Sequence, residues 1–421
     1  MNPSSPPASP VSALPAAAAK NERVLLLTLA GIQFTHILDF MIMMPLGPQL
    51  IRLLHLDTHE FGLLLSSYTF TAAASSLLAA SYVDKFDRRK LMLSMYVLFI
   101  IATLCCGLAG SFATLLIARA MAGAFGGVLG SMIQTVIADM IPFERRGQAM
   151  GTVMTSFSLS TVAGVPLGLY LSVHLPALNW RAPFFFIVLL SLAFLALGYR
   201  VLPSLTAHLE RPRSGSVLRQ LLDVARQPNH LKAFAFMALM MLSGFSVIPY
   251  IPLYMTANVG VAEASIALIY VCGGLATLFT ARAIGKLADS HGKPRVFRWI
   301  ALASLVPLLV TTHLWPVPLW LVLINSTIFF VLVSGRMIPG MAMVSASASP
   351  QVRGTFMSLV SSVQMMASGL ASLLSGLIIG RTADGQISHY NLVGYMAVAF
   401  GLLTIWLARH LKVVATTPPA S

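Results

Sequence analysis

The chain has 421 residues, is 57% hydrophobic and carries only 10% charged residues, against about 25% in an ordinary soluble domain. That balance argues against a soluble enzyme or binding module. The net charge of +14 would suit a nucleic-acid partner, but the basic residues sit where membrane topology needs them, so no nucleic acid is expected.

Residues 1–20, rich in Pro, Ala and Ser, lack the basic start and apolar core of a signal peptide and are expected to form a disordered cytoplasmic tail. Long apolar stretches then predict twelve membrane spans. They run Val24–Leu46, Phe61–Val83, Leu91–Gly110, Phe112–Met140, Gly147–Val173 and Pro183–Leu202 in one half. The other half holds Leu231–Thr256, Ala264–Ala283, Val296–His313, Pro316–Ala346, Gly354–Ile379 and Leu392–Leu411. The alternating pattern of a membrane barrel is absent. Between the halves, residues 203–230 read as a basic cytoplasmic linker with a short amphipathic helix from Leu218 to Val224. Residues 413–421 read as a second tail. With the N-terminus inside, 22 of the 27 Lys and Arg fall on the cytoplasmic side, which puts both termini in the cytoplasm. Cys105, Cys106 and Cys272 lie within spans and read as packing residues. No metal-ligand spacing, phosphate loop or nucleophile triad stands out, so no metal, cofactor or enzymatic activity is expected.

Three landmarks recur at nearly one offset. Pro45-Leu46-Gly47-Pro48 matches Pro249-Tyr250-Ile251-Pro252, the loop at Asp84 matches the loop at Asp289, and Arg146-Gly147 matches Arg353-Gly354. The expected architecture is therefore an all-α membrane protein of two six-helix bundles, residues 21–202 and 231–412, in parallel repeat. Such repeats enclose a site near the bilayer midplane that suits alternating access.

Asp39 is the one acidic residue deep in an apolar span, where a carboxylate costs roughly 2.5–3.5 kcal/mol on insertion scales. Gln33, His36 and Asp39 are three apart and share one helix face, expected to line the cavity. Arg119, about two turns inside span 4, is the first candidate partner for Asp39. The pair either exchanges protons or ties two helices statically, and His36 either shares the proton or packs. Arg336 lies near mid-depth of span 10 with no counterpart in the first half. It would contact an anionic or hydrogen-bond-accepting substrate, face Asp39, or pack onto helix carbonyls. Gln364 in span 11 is a further cavity candidate.

The loop Ala80-Ser81-Tyr82-Val83-Asp84-Lys85-Phe86-Asp87-Arg88-Arg89-Lys90 and its partner Gly285-Lys286-Leu287-Ala288-Asp289-Ser290-His291-Gly292-Lys293 resemble the G-x-L-x-D-R-x-G-R-R signature of the major facilitator superfamily. The second copy keeps Gly285, Leu287, Asp289, Gly292 and Lys293. The first keeps Asp84, Arg88 and Arg89 but has Ala80 and Asp87 where the signature has glycine. The resemblance implies a latch that forms in one state and breaks in the other. Arg119-Ala120-Met121-Ala122-Gly123 is similar to the family's R-x-x-x-G motif, associated with proton coupling. Gly164-Val165-Pro166-Leu167-Gly168 is similar, in part, to the motif of the twelve-span drug–proton antiporters. The resemblance implies a monomeric inner-membrane exporter of a small organic molecule in exchange for protons. A proton-coupled importer of the same fold is the first alternative, and a non-transporting receptor or scaffold the second.

Overall fold

The computed structural model describes residues 16–206, 217–349 and 352–412. Twelve helices long and apolar enough to cross a membrane are present among them. They are numbered spans 1–12: Glu22–Ile42, Thr58–Ala79, Arg88–Leu108, Phe112–Met140, Arg145–His174, Asn179–Val201, Pro228–Val259, Glu263–His291, Lys293–Thr312, Leu319–Ser345, Arg353–Ile378 and Tyr390–Ala408. The protein is an all-α, multi-pass membrane protein of two six-helix bundles.

Local chemistry sets the helix ends. Asp57 and Glu60 form a capping box at the start of span 2, and Ser111 with Thr114 forms another at span 4. Gly292, at φ +87°, turns the chain between spans 8 and 9, a conformation that suits a residue without Cβ. The matched Pro-x-x-Pro segments break their helices alike. Span 1 stops at Ile42 and resumes as Gly47–Leu53, rather than running on to Leu46 as one piece. Span 7 likewise passes through a 3-10 turn at Ile248–Tyr250 before Ile251–Tyr254. Span 10 breaks at Arg336 into Leu319–Gly335 and Met337–Ser345, because Pro339 has no N–H to offer the Gly335 carbonyl. The expected linker helix is present as Val217–Ala225, and Val224 packs into the second bundle's core near Phe356. Residues 1–15, 207–216, 350–351 and 413–421 lie outside the described residues, while residues 16–20, expected as part of the tail, are helical and continuous with span 1.

Asp87, where the loop signature has glycine, proves to be a cap. Its carboxylate accepts from the Arg89 amide (2.9 Å), the Leu205 amide (3.1 Å) and the Ser204 hydroxyl (2.7 Å). It thereby starts span 3 and pins the chain leaving span 6. Partial burial works to raise its pKa, but the Ser204, Leu205 and Arg89 hydrogen bonds and nearby Lys90 outweigh that, so the carboxyl is held below its ordinary value. A depressed folded-state pKa adds stability above the unfolded pKa, which is lost as pH falls through the folded value. Asp87→Ala is expected to cost roughly 0.5–2 kcal/mol, as for other N-caps, and to remove that acid-side sensitivity. Thermal melts of the detergent-solubilised protein across acidic pH check both.

The bundles meet unevenly. Call the end where spans 1 and 7 begin the basic face. Near the opposite face one apolar core runs through both halves, joining Met44, Phe61 and Leu65 to Tyr250, Ile266 and Ile379. Towards the basic face the cores separate: Leu29, Tyr96 and Met132 in one half, Phe236, Phe297 and Phe356 in the other. Arg52 and Glu263 form an ion pair across the opposite face, with a second arm of 3.3 Å. The Thr58 hydroxyl donates to the Ile379 carbonyl at 2.5 Å. Spans 2 and 11 cross closely at Gly62 and Gly376: a Cβ on Gly62 would lie 3.3 Å from the Gly376 Cα. On the basic side, Cβ atoms at Gly147, Gly151, Gly285 and Gly354 would meet nothing within 4 Å. The halves share one apolar core near the opposite face and have separate cores towards the basic one. The Arg52–Glu263 pair is largely exposed, so Glu263→Gln is expected to change unfolding free energy by less than about 1 kcal/mol, measurable by melting in low and high salt.

Candidate functional site: a buried ion pair among four spans

Asp39 is fully buried three residues before span 1 breaks. Arg119, also fully buried, donates from Nη1 to Asp39 Oδ2 at 2.9 Å and to the Asp39 backbone oxygen at 3.2 Å. Thr103 of span 3 donates to Oδ1 at 3.3 Å. The Arg119 guanidinium also lies over the Tyr68 ring of span 2, 4.4 Å from its centroid. The structure thus pairs the two charges picked from sequence and surrounds them with spans 2 and 3. Glycines allow the approach. A Cβ on Gly127 would press on the Ala72 backbone, and one on Gly123 would press on that of Tyr68. Gly126 admits His36 and the Tyr68 hydroxyl, each within 2.8 Å of where its Cβ would sit.

A line of under-used polar atoms leads away from the pair. Arg119 Nε, Tyr68 OH, His36 Nδ1 and Gln33 Oε1 are buried without a hydrogen-bond partner. Buried polar atoms are normally paired, so four together give this region spare hydrogen-bonding capacity. The His36 ring sits 6.3 Å from Tyr68 and 6.0 Å from Phe99. Gln33, one turn along the same helix, is partly exposed, as is Gln364. Sequence reasoning passed over Tyr68. Its available signal was the run Gly123, Gly126 and Gly127, which lets an adjoining helix approach span 4 closely.

The antiporter-like motif seats span 5 on span 1. Ser156 donates to the Ala30 carbonyl at 2.7 Å and Ser160 to the Phe34 carbonyl at 3.2 Å. Gly164 faces Leu38, and Gly168 faces Ile42. Residues four apart in one helix meet residues four apart in the other, a small-residue stripe against a helix face. Pro166 lacks the N–H that would bond Val162, and the helix widens to a π-turn over Ser160–Gly164. There Val162 and Thr161 touch Gly274 of span 8, a contact between the halves.

Arg336 is enclosed in the second bundle instead of lining an open cavity or facing Asp39. It is 2% exposed and donates to Ser243 Oγ (3.3 Å), Ser304 Oγ (3.2 Å) and the Met240 carbonyl (3.4 Å). Those protein acceptors engage both Nη atoms, as in the packing alternative, while Nε is buried without a hydrogen-bond partner. The arrangement repeats the first half at the level of helices. Arg119 of span 4 meets Asp39 of span 1, which Thr103 of span 3 also bonds, and Arg336 of span 10 meets Ser243 of span 7 and Ser304 of span 9, with Ser243 where the repeat puts Asp39. Chain register hides this, because Arg336 lies ten residues further along its span than Arg119 does. Arg336→Met, similar in volume and uncharged, is expected to change unfolding free energy by no more than about 2 kcal/mol, measured by thermal melting.

Of the loop-signature arginines, Arg88 pairs with Asp139 of span 4. Arg89 donates to the Tyr199 carbonyl at 2.6 Å and lies over that ring, on span 6. Both contacts lie within the first bundle in this conformation. Asp289 and Lys293 are exposed, and Gly285 and Gly292 border open space. The Asp84 side chain lies outside the described residues. A cavity of about 470 Å³ lies at the basic face between spans 1 and 5, lined by Glu22, Arg23, Arg145 and Gln148 among others. It is ~25 Å along span 1 from Asp39, so it is a mouth feature and not part of the ion-pair site.

The Major Facilitator Superfamily family model matches residues 29–254 and 233–421, nearly the whole chain. Solved structures share the fold. A D-xylose-proton symporter superposes with a TM-score of 0.74 at 16% identity, covering 91% of this chain and 96% of that one. A bacterial homolog to the human lysosomal transporter Spinster, inward-facing and unoccupied, gives 0.68 at 18% identity, covering 95% of each. The xylose transporter XylE from E. coli, inward open, gives 0.71 at 18% identity, covering 91% and 95%. The family model spans both bundles, the paired landmarks fall at equivalent helix breaks, and the chain belongs to the Major Facilitator Superfamily.

Proposed function

We propose that the protein is a secondary active transporter that exports a small organic molecule in exchange for protons by alternating access. In this reading it lies in the inner membrane with both termini cytoplasmic, so the basic face is the cytoplasmic one. The observation that carries it is the buried Asp39–Arg119 pair. A carboxylate bonded to one arginine in low dielectric is held charged by that contact, and separating the two favours its protonation. Movement of span 4 against span 1 therefore loads or releases a proton. Asp39 is the carrier, Arg119 the modulator, and His36 and Gln33 border the path. Exchange is favoured over cotransport by the Gly164–Gly168 motif at a contact between the halves. The charges at Asp84, Asp289 and Lys293 close the basic face in the other state. Import is the competing direction: one structural neighbour is a sugar–proton symporter and another a nucleoside transporter.

Everted membrane vesicles given a pH gradient test this against a panel of sugars, nucleosides, organic acids and drug-like amines. At least one compound is expected to drive proton movement of the sign that marks exchange. Asp39→Asn is expected to abolish that flux while binding persists. Unchanged flux in Asp39→Asn overturns the assignment of Asp39, and flux of the opposite sign makes the protein an importer.

A further inference from the structure

Tyr68 stands between two sites that a coupled transporter has to connect. Its ring lies under the Arg119 guanidinium, and it is 1% exposed. The next residue, Thr69, together with Phe70, meets Gly369 of span 11. Along the same helix, Gly62 meets Gly376 and the Ser76 hydroxyl meets that of Ser362 at 3.0 Å. Positions 62, 69 and 76 repeat every seven residues and form one stripe against the other bundle. Tyr68 points about a quarter turn away, towards span 4. Span 2 thus touches the ion pair on one side and the second bundle on the other.

Resting on the reading of Asp39 as the proton carrier, we propose that Tyr68 is a positioning residue that transmits the state of the ion pair to the contact between the halves. Arg119 shares its charge between the Asp39 carboxylate and the Tyr68 ring. When Asp39 takes up a proton, the carboxylate contact weakens and the ring becomes the principal seat of the guanidinium. A cation over an aromatic face in a desolvated site is held firmly enough to matter. Arg119 then bears on span 2 instead of span 1, and span 2 carries the displacement to span 11. The ring does this, not the hydroxyl. The other ionisable groups facing the pair are Cys106 of span 3 and His36 of span 1. Spans 5 and 6 offer span 1 only hydroxyls, glycines and the Phe194 ring at the contacts described.

Hydrogen–deuterium exchange on the full chain in lipid nanodiscs, corrected for intrinsic pH dependence, reads opening of the opposite face at residues 58–62 and 376–379. Wild type, Tyr68→Phe, Tyr68→Met, Tyr68→Leu and Asp39→Asn are compared across pH. Two ring-less variants are used because either could fail to fold. The wild type is expected to open with a pH midpoint that Asp39→Asn removes. Tyr68→Phe is expected to keep that midpoint, and the ring-less variants to move it by about one unit, the scale of a buried cation–π contact. A wild-type midpoint unmoved in the ring-less variants overturns the role of Tyr68 and leaves Asp39 intact. So does a Tyr68→Phe protein as displaced as Tyr68→Met. Opening that ignores pH, or persists unchanged in Asp39→Asn, overturns the reading of Asp39 and this inference with it.

Discussion

Arg119→Ala is expected to destabilise the protein by roughly 3–5 kcal/mol, the largest effect of any single substitution at the ion pair. The cost comes from what is left behind. Asp39 is fully exposed to the apolar interior once its cation is gone, with only the 3.3 Å Thr103 contact remaining. Arg119 also fills space over Tyr68, so truncation opens a cavity as well. The double variant Asp39→Asn/Arg119→Gln, which removes both charges and keeps the volumes, is expected to recover most of the loss. Thermal melts of the two singles and the double in detergent close the cycle. A single variant that melts like the wild type would mean that the pair contributes little to the fold.

The second large effect is on conformation. Gly376→Val is expected to hold the opposite face open. A Cβ at position 376 would lie 2.8 Å from the Thr58 carbonyl oxygen, 2.7 Å from the Tyr250 hydroxyl and 3.2 Å from the Gly62 Cα. Two of those neighbours are backbone and cannot rotate aside. Overpacking of this kind costs about 1–3 kcal/mol in the state that contains it. The other state lacks the contact, so the equilibrium moves by that amount, about tenfold for each 1.4 kcal/mol. Labelling of a cysteine introduced in place of Ile379, which is buried at that face and larger than cysteine, by a membrane-impermeant maleimide applied from the opposite face is expected to rise in the Gly376→Val background. Gly354→Val, where a Cβ meets open space, serves as the control and is expected to leave labelling unchanged.

Much of this was legible in the chain because it is carried by short-range pattern. Twelve apolar stretches, the two Pro-x-x-Pro breaks and the recurrence of the Asp84 and Asp289 loops each depend on neighbours in sequence. Asp39 was legible because an acid in an apolar span is costly, and Arg119 because it was a cation at a reachable depth. The rest depended on tertiary contact. Arg336 looked unpaired since its acceptors, Ser243 and Ser304, are uncharged and lie on other spans. Arg88 and Arg89 sit in a signature associated with gating, and their contacts to Asp139 and the Tyr199 carbonyl, both distant in the chain, arise from tertiary packing. Asp87 read as a lost glycine until Ser204 and Leu205, more than a hundred residues on, came to its carboxylate. Tyr68 carries no charge and sits among other hydroxyl-bearing residues of span 2, so its place beneath Arg119 shows only in the packing against the span 4 glycines.

The claim on which the functional reading turns is that Asp39 gains and loses a proton during the cycle. Infrared difference spectroscopy of the reconstituted protein, recorded on pH steps, reads this without knowledge of the substrate. Of the protonated-carboxyl bands that grow as the pH falls, one at the high frequency of a buried carboxyl is expected to be absent from Asp39→Asn and to persist in Glu263→Gln and Asp87→Ala. If every such band survives in Asp39→Asn, the account is contradicted and the Asp39–Arg119 pair is a static brace.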